Sequence, residues 1–205
     1  MAYLEFRNIQ LKYDQRQIFS GFNLEIEQYD TVLFCAPSGR GKTSLVKMLL
    51  GFVVPEAGEI LVDGMSLSGE TVNAIRRQIS YVSQDADIPK GLVSEVFATV
   101  FKFPVNRHLN YQEAVLRQWL ETMALPQDTL QKNVDALSGG ERQRLALIMG
   151  ILLDRDIWIL DEITTGLDLA LKTKMVELVL SYNKTILVVS HDDIYQKRGL
   201  REVSW

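Results

Sequence analysis

An apolar run, Thr31-Val32-Leu33-Phe34-Cys35, leads straight into Ala36-Pro37-Ser38-Gly39-Arg40-Gly41-Lys42-Thr43, after which apolar residues recur at helical spacing over residues 42–50 until Gly51. A continuous apolar run of this length suits a strand covered on both faces, and a glycine closing the periodic stretch suits a helix terminus. Strand, glycine-bearing loop and helix in this order make the frame in which backbone N–H groups at a helix N-terminus converge on a polyphosphate. This commits the surrounding chain to an α/β architecture.

The loop's residue types fit that chemistry. Gly39 and Gly41 allow close backbone approach, and Lys42 reaches the β- and γ-phosphates as a point charge. Thr43 places a hydroxyl on Mg²⁺. Pro37, Ser38, Arg40 and Ser44 are the remaining nucleotide-binding candidates of the segment. Ala36 stands where the pattern G-x-x-x-x-G-K-[ST] has glycine, but Pro37 biases it toward the extended region, where alanine needs no positive φ. The plain alternative is a turn with a solvated lysine, and the strand before and helix after weigh against it.

A second apolar strand, Ile157-Trp158-Ile159-Leu160, ends in Asp161-Glu162. Strand alternation projects these carboxylates from opposite faces of the backbone, so they can take different roles. Asp161 suits Mg²⁺, and Glu162 suits polarising an attacking water, which is worth roughly 10² to 10⁴ in rate. The competing reading is a helix N-cap pair.

With 205 residues the chain has the size of one domain able to bury a full core without disulfides or metal staples. Its single cysteine, Cys35, reads as a small buried hydrophobe of a reducing compartment. A formal charge of −4 with scattered Lys and Arg gives no basic field for nucleic acid. Met1 leads into an alternating strand pattern, so no signal peptide is expected. The longest apolar stretches fall short of the roughly 20 residues a membrane helix needs, so any membrane role runs through a partner.

Along the chain, strands are expected over residues 3–13, 18–26, 31–35, 59–62 and 79–82. Residues 91–135 turn helical, clearest at 111–123, with Pro104 and Pro126 as punctuation. Alternation of strand and helix then resumes: a helix from Gly140, a strand to Asp161, a helix over 168–181 and a strand over 185–190. The expected division is 1–90 for a β-subdomain with the first part of the phosphate-loop core, 91–138 for a helical subdomain and 139–205 for the remainder.

Between the two halves of the nucleotide site lies Leu137-Ser138-Gly139-Gly140-Glu141-Arg142-Gln143-Arg144. With it the chain resembles, over essentially its whole length, the nucleotide-binding subunits of ABC transporters. The resemblance implies the ABC form of the P-loop NTPase fold: a mixed core sheet, an N-terminal antiparallel β-subdomain and an inserted α-helical subdomain. It implies Mg²⁺-dependent ATP hydrolysis, with ATP and Mg²⁺ sandwiched between two subunits, identical in the simplest case. Ser138, Gly139 and Gly140 then cap the γ-phosphate held by the opposite subunit. By the same resemblance Tyr13 stacks on adenine, Gln84 reaches Mg²⁺ and water, His191 contacts the γ-phosphate and Asp168 belongs to the dimer-interface loop. His108 has no such context and is expected at the surface. Ile163 and Gly166 depart from the family's more usual proline and alanine.

Ile163, the stretches 124–126 and 132–134, and Phe103-Pro104 are similar to bacterial iron-export ATPases of the FetA type. This implies an integral-membrane permease partner, a place on the cytoplasmic face of the inner membrane and export of a transition metal such as iron. Export is the least residue-bound of these expectations, because none of the residues contacts a transported solute. Soluble ABC ATPases of chromosome maintenance would insert long coiled-coil heptads before the signature, where only about 95 residues intervene. Those of translation carry two cassettes in one chain. A nucleotide sensor without turnover is disfavoured by the joint presence of Glu162 and His191.

Overall fold

A computed structural model describes residues 2–14, 16–35 and 40–205. Two sheets organise them. Strands β1 (Leu4–Tyr13), β2 (Arg16–Ile26), β4 (Ala57–Val62) and β5 (Met65–Ser66) form an antiparallel sheet in the order β2-β1-β4-β5. Strands β3 (Thr31–Phe34), β6 (Ile79–Val82), β7 (Ile157–Asp161), β8 (Thr185–Val189) and β9 (Arg201–Val203) form a parallel sheet in the order β6-β7-β8-β3-β9. The first sheet is the N-terminal antiparallel β-subdomain that the resemblance implies, and the five core strands all pair in parallel.

The parallel sheet is buried on both faces, as its unbroken apolar runs require. Val32, Phe34, Ile157, Ile159, Leu187 and Val189 face a core shared with the antiparallel sheet and helix α1 (Lys42–Leu49). Leu33, Trp158, Leu160, Ile186 and Val188 face the opposite way, into a core shared with α5 (Gly139–Leu152) and α6 (Leu169–Leu180). One sheet thus joins two cores, with alternate residues of β3, β7 and β8 serving each.

Helices α3 (Val93–Lys102) and α4 (Glu113–Thr122), joined by a 3₁₀ segment at Pro104–Leu109, occupy the stretch read as helical. Val96, Phe97, Leu116 and Leu120 turn inward. Short helices α2 (Val72–Arg76) and α7 (Asp193–Gln196) precede β6 and follow β8.

Gly150 shows why a poor helix former sits in the middle of α5. A Cβ there would lie 2.9 Å from both Ser80 Oγ and Val82 Cγ2 of β6, and Ser80 Oγ donates to the Gly150 carbonyl at 3.1 Å. Close approach of helix to sheet outweighs the ~1 kcal/mol that alanine would gain in helix propensity. Gly150→Val is expected to destabilise the fold by about 1–3 kcal/mol through overpacking, read as a lower urea midpoint with unchanged slope.

Candidate functional site

The ends of β3, β7 and β8 meet at one edge because the parallel register pairs both Phe34 and Asp161 with Val189. The described segments following these strands therefore converge: Gly41 and α1 after β3, Glu162 after β7, and Ser190 and His191 after β8. An open cleft of about 1080 Å³ lies there, and among the described residues Tyr13, Gly41, Lys42, Thr43, Ser44, Gln84, Asp161, Glu162 and His191 line it. All nine are site residues expected from the sequence. Pro37, Ser38 and Gly39, with Ala36, lie outside the described residues.

Gly41 precedes α1 at φ 101°, a left-handed conformation favoured by glycine, and a Cβ there would lie 2.4 Å from Ile18 Cγ2. Beyond it, Lys42 Nζ lies 2.9 Å from His191 Nε2. With the ammonium donating, the ring accepts at Nε2 and carries its proton on Nδ1. Tyr13 is 45% exposed at the end of β1, within 3.4 Å of the Ser44 hydroxyl that donates to its own. An exposed ring at the cleft leaves its face open for stacking.

Asp161 and Glu162 correct one expectation. Both line the same cleft, because β7 ends at Asp161 and Glu162 turns to φ 52°, so strand alternation stops between them. The turn is held by the Glu162 N–H donating to the Val189 carbonyl at 2.8 Å. Thr165 and Ser190 hydroxyls donate to Glu162 Oε2, each at 3.4 Å. Asp161 is 7% exposed and accepts from the Tyr81 hydroxyl at 3.3 Å. Burial pushes its carboxyl above the ordinary value; Tyr81 pulls it back, and the Glu162 charge adds to the rise.

The signature stands apart from this cleft. Ser138 caps α5 in a capping box: its Oγ accepts from the Glu141 N–H at 3.3 Å, while Glu141 Oε2 accepts from the Ser138 N–H at 2.8 Å. The next two amides, of Gly139 and Gly140, have no acceptor among the described residues. Gly139 and Gly140 line a neighbouring hollow with Gln84 and Glu162. Asp168 caps α6, accepting from the Leu171 N–H at 2.9 Å, and lies off the cleft. Arg40 is exposed and is absent from the cleft's lining.

Three contacts escape a reading of the sequence. Tyr81 lies within a strand and carries no signal of its own. Asp192 gathers Lys172 Nζ at 2.6 Å and the Thr164 hydroxyl at 3.2 Å; burial pushes its carboxyl up, but these partners and the Ile194 N–H hold it below the ordinary value. Trp205 reaches the phosphate loop: its indole N–H donates to the Arg40 carbonyl at 2.7 Å, and its ring packs on Phe19, Phe22 and Phe34 at centroid distances of 5.4–5.8 Å. A tryptophan so far along the chain has no periodic or motif context that would flag it.

A family model described as ABC transporter matches residues 19–165, which spans the phosphate loop, the signature and the Asp161-Glu162 pair. The chain belongs to the ABC transporter family. Within the ABC family, it is 33% identical over 193 residues to the transport/processing ATP-binding protein ComA of Streptococcus pneumoniae (strain ATCC BAA-255 / R6), covering 92% of this chain but only 27% of ComA. It is 32% identical to the petrobactin import ATP-binding protein FpuD of Bacillus anthracis, covering 92% of this chain and 72% of FpuD. It is 30% identical to the probable iron export ATP-binding protein FetA of Escherichia coli (strain K12), covering 92% and 84% respectively. A dimeric ATP-binding cassette in a post-hydrolysis state with ADP and Pi superposes with a TM-score of 0.77 at 24% identity, over 92% of this chain and 88% of that one, which establishes the fold. No helix among the described residues is long and apolar enough to cross a membrane.

This geometry has two measurable consequences. A carboxyl whose value is raised by folding favours the fold while protonated, and that contribution is lost as pH rises from the ordinary 3.8 through its folded value. At neutral pH the Asp161 charge is therefore a cost to the nucleotide-free protein, and Asp161→Asn is expected to raise its melting temperature at pH 7 while leaving it little changed near pH 3. Trp205→Phe keeps an aromatic ring beside Phe19, Phe22 and Phe34 and removes the N–H donor. Loss of that one bond is expected to lower stability by about 1 kcal/mol, read as a lower urea midpoint with unchanged slope.

Proposed function

We propose that the chain is the ATP-binding and ATP-hydrolysing subunit of a transporter whose permease is a separate membrane protein, and that it works as an ATP-dependent pair at the cytoplasmic face of the cell membrane. The observation carrying this is the convergence of Lys42, Asp161, Glu162 and His191 on one cleft. A cleft built only to bind nucleotide has no use for a carboxylate held by a left-handed turn beside a lysine and a histidine.

In this reading Tyr13 stacks on adenine, while the Gly41 and Lys42 amides, with Pro37, Ser38, Gly39, Arg40, Thr43 and Ser44 around them, cradle the phosphates. Lys42 and His191, already in contact, separate to receive the γ-phosphate between them. Glu162 orients the attacking water and takes its proton as the oxygen bonds to phosphorus and the bond to ADP breaks. Ser138, Gly139 and Gly140 of a second copy close the site, and Asp168 shapes the contact loop.

Thr43, Gln84 and Asp161 supply hard oxygen donors on one cleft, and no cluster of three or more His, Cys, Asp or Glu exists among the described residues to make an all-protein cage. That donor set fits Mg²⁺, which takes few protein ligands and shares phosphate oxygens. When bound, the ion neutralises phosphate charge.

The chain spans 84% of FetA and 72% of FpuD but 27% of ComA, and the separate permease of this proposal is carried over from the likeness to the first two. Iron export is the finer form of this proposal and rests on the likeness to FetA; FpuD bears an import name at similar identity, so direction and cargo belong to the permease. The groove lined by Ile88, Pro89, Val100, Met149 and Leu153 suits an apolar helix face of that permease.

Glu162→Gln keeps the shape and removes the base. It is expected to retain ATP binding, to lower hydrolysis by roughly 10²- to 10⁴-fold, and to accumulate as an ATP-bound dimer in size-exclusion chromatography. Undiminished turnover would remove Glu162 from this role.

A further inference from the structure

At the opposite end of the parallel sheet from the nucleotide cleft, beside the first residue of β6 and the approach to β7, lies a second cavity of about 310 Å³. Arg76, Arg77 and Arg155 line it together with Asn73 and Asn106, and its lining contains no carboxylate. The three guanidinium groups make no ion pair among the described residues.

Two of the three are fixed by neutral partners instead. Arg155 donates to the Asn106 carboxamide oxygen, and Asn106, only 4% exposed, is itself held by donating to the Val100 carbonyl at 2.8 Å. Arg76 donates through Nε to the Leu50 carbonyl at 2.8 Å and stacks over Phe52 at 4.6 Å. Arg77 makes no side-chain bond among the described residues. The nearest acids in sequence, Asp154 and Asp156, pair with Lys184 at 2.9 and 3.9 Å. Burial accordingly pulls the Arg155 guanidinium below its usual value, against the weaker influence of those two acids.

A half-buried, unpaired guanidinium is costly, and forked donors held in place by neutral acceptors are preorganised for an oxyanion. Three positive charges match a dianion better than a single carboxylate. Apolar Ile79, Val105 and Leu153 complete the wall, leaving room for the carbon substituent of an ester. We propose that this cavity binds a phosphate group, free or as a monoester, through Arg76, Arg77 and Arg155. The proposal is independent of the nucleotide reading, since it uses no residue of that cleft.

The test titrates inorganic phosphate into the protein saturated with ADP, by calorimetry, and sediments the protein with phosphatidylcholine vesicles made with and without phosphatidic acid. Arg77→Gln and Arg155→Gln are each expected to weaken the response about tenfold or more, through loss of a charge-assisted hydrogen bond. ADP affinity should be unchanged, and Arg155→Lys should recover part of the loss. Phosphate binding alone assigns a soluble ligand; vesicle binding that needs phosphatidic acid and the arginines assigns a lipid headgroup. Binding that is equal in wild type and in both variants overturns the proposal. So does an absence of binding to either probe, even where the variants lose capture of a permease, an outcome that would give the pocket to a protein carboxylate.

Discussion

The parallel register of three buried strands is the constraint on which the rest depends. Because Phe34, Asp161 and Val189 lie level, the ends of β3, β7 and β8 stand at one height and side by side. A slip of one residue in any of them would turn its side chains to the other core, and the two cores are filled on both sides by Ile, Val, Leu, Phe and Trp. The packing that fixes register is thus also the cause that brings a lysine, two carboxylates and a histidine from positions 42, 161, 162 and 191 to one cleft.

That edge stores strain as well as charge. Glu162 sits at φ 52°, a region that a non-glycine residue occupies at a cost of order 1–3 kcal/mol, and Asp161 is a buried acid raised by its surroundings. Neither feature helps the empty protein. Both are tolerated because β7 and β8 are fully buried over Ile157–Asp161 and Thr185–Val189, and because the Val189 carbonyl and the Ser190 and Thr165 hydroxyls fix the glutamate. Stability is concentrated in the strands and given up at their ends.

Much of this is legible in the residues. Continuous apolar runs mark β3, β7 and β8, and the glycine-bearing loop and the acidic pair mark the strand ends, since these signals are local. Strand β9 is not legible: three residues, Arg201–Val203, with only Val203 buried, carry too little pattern, and they pair only because β3 already offers an edge. The separate antiparallel sheet also requires tertiary information, as strand patterns alone do not say which strands pair. Tyr81 and Trp205 act through contacts across 80 and 165 positions of chain, beyond any periodicity. The opposite projection of Asp161 and Glu162 is reasonable for a strand and fails because the strand ends between them.

The geometry of Ser138 bears on how a signature lying off its own cleft can serve another. Its oxygen spends one lone pair on the Glu141 N–H, and its backbone N–H is spent on Glu141 Oε2. The Ser138 hydroxyl also bonds the Glu141 carboxylate and holds it below the ordinary value, so the capping box fixes the start of the helix. Directly after it, the Gly139 and Gly140 amides remain without acceptors among the described residues, and a Cβ at Gly139 would meet nothing within 4 Å. Two free amides at a 14-residue helix's positive end make a preset anion contact, in a hollow that Glu162 borders and Lys42 does not. In the proposed pair this end of α5 would meet the nucleotide held by the second copy with little reorganisation of the signature itself.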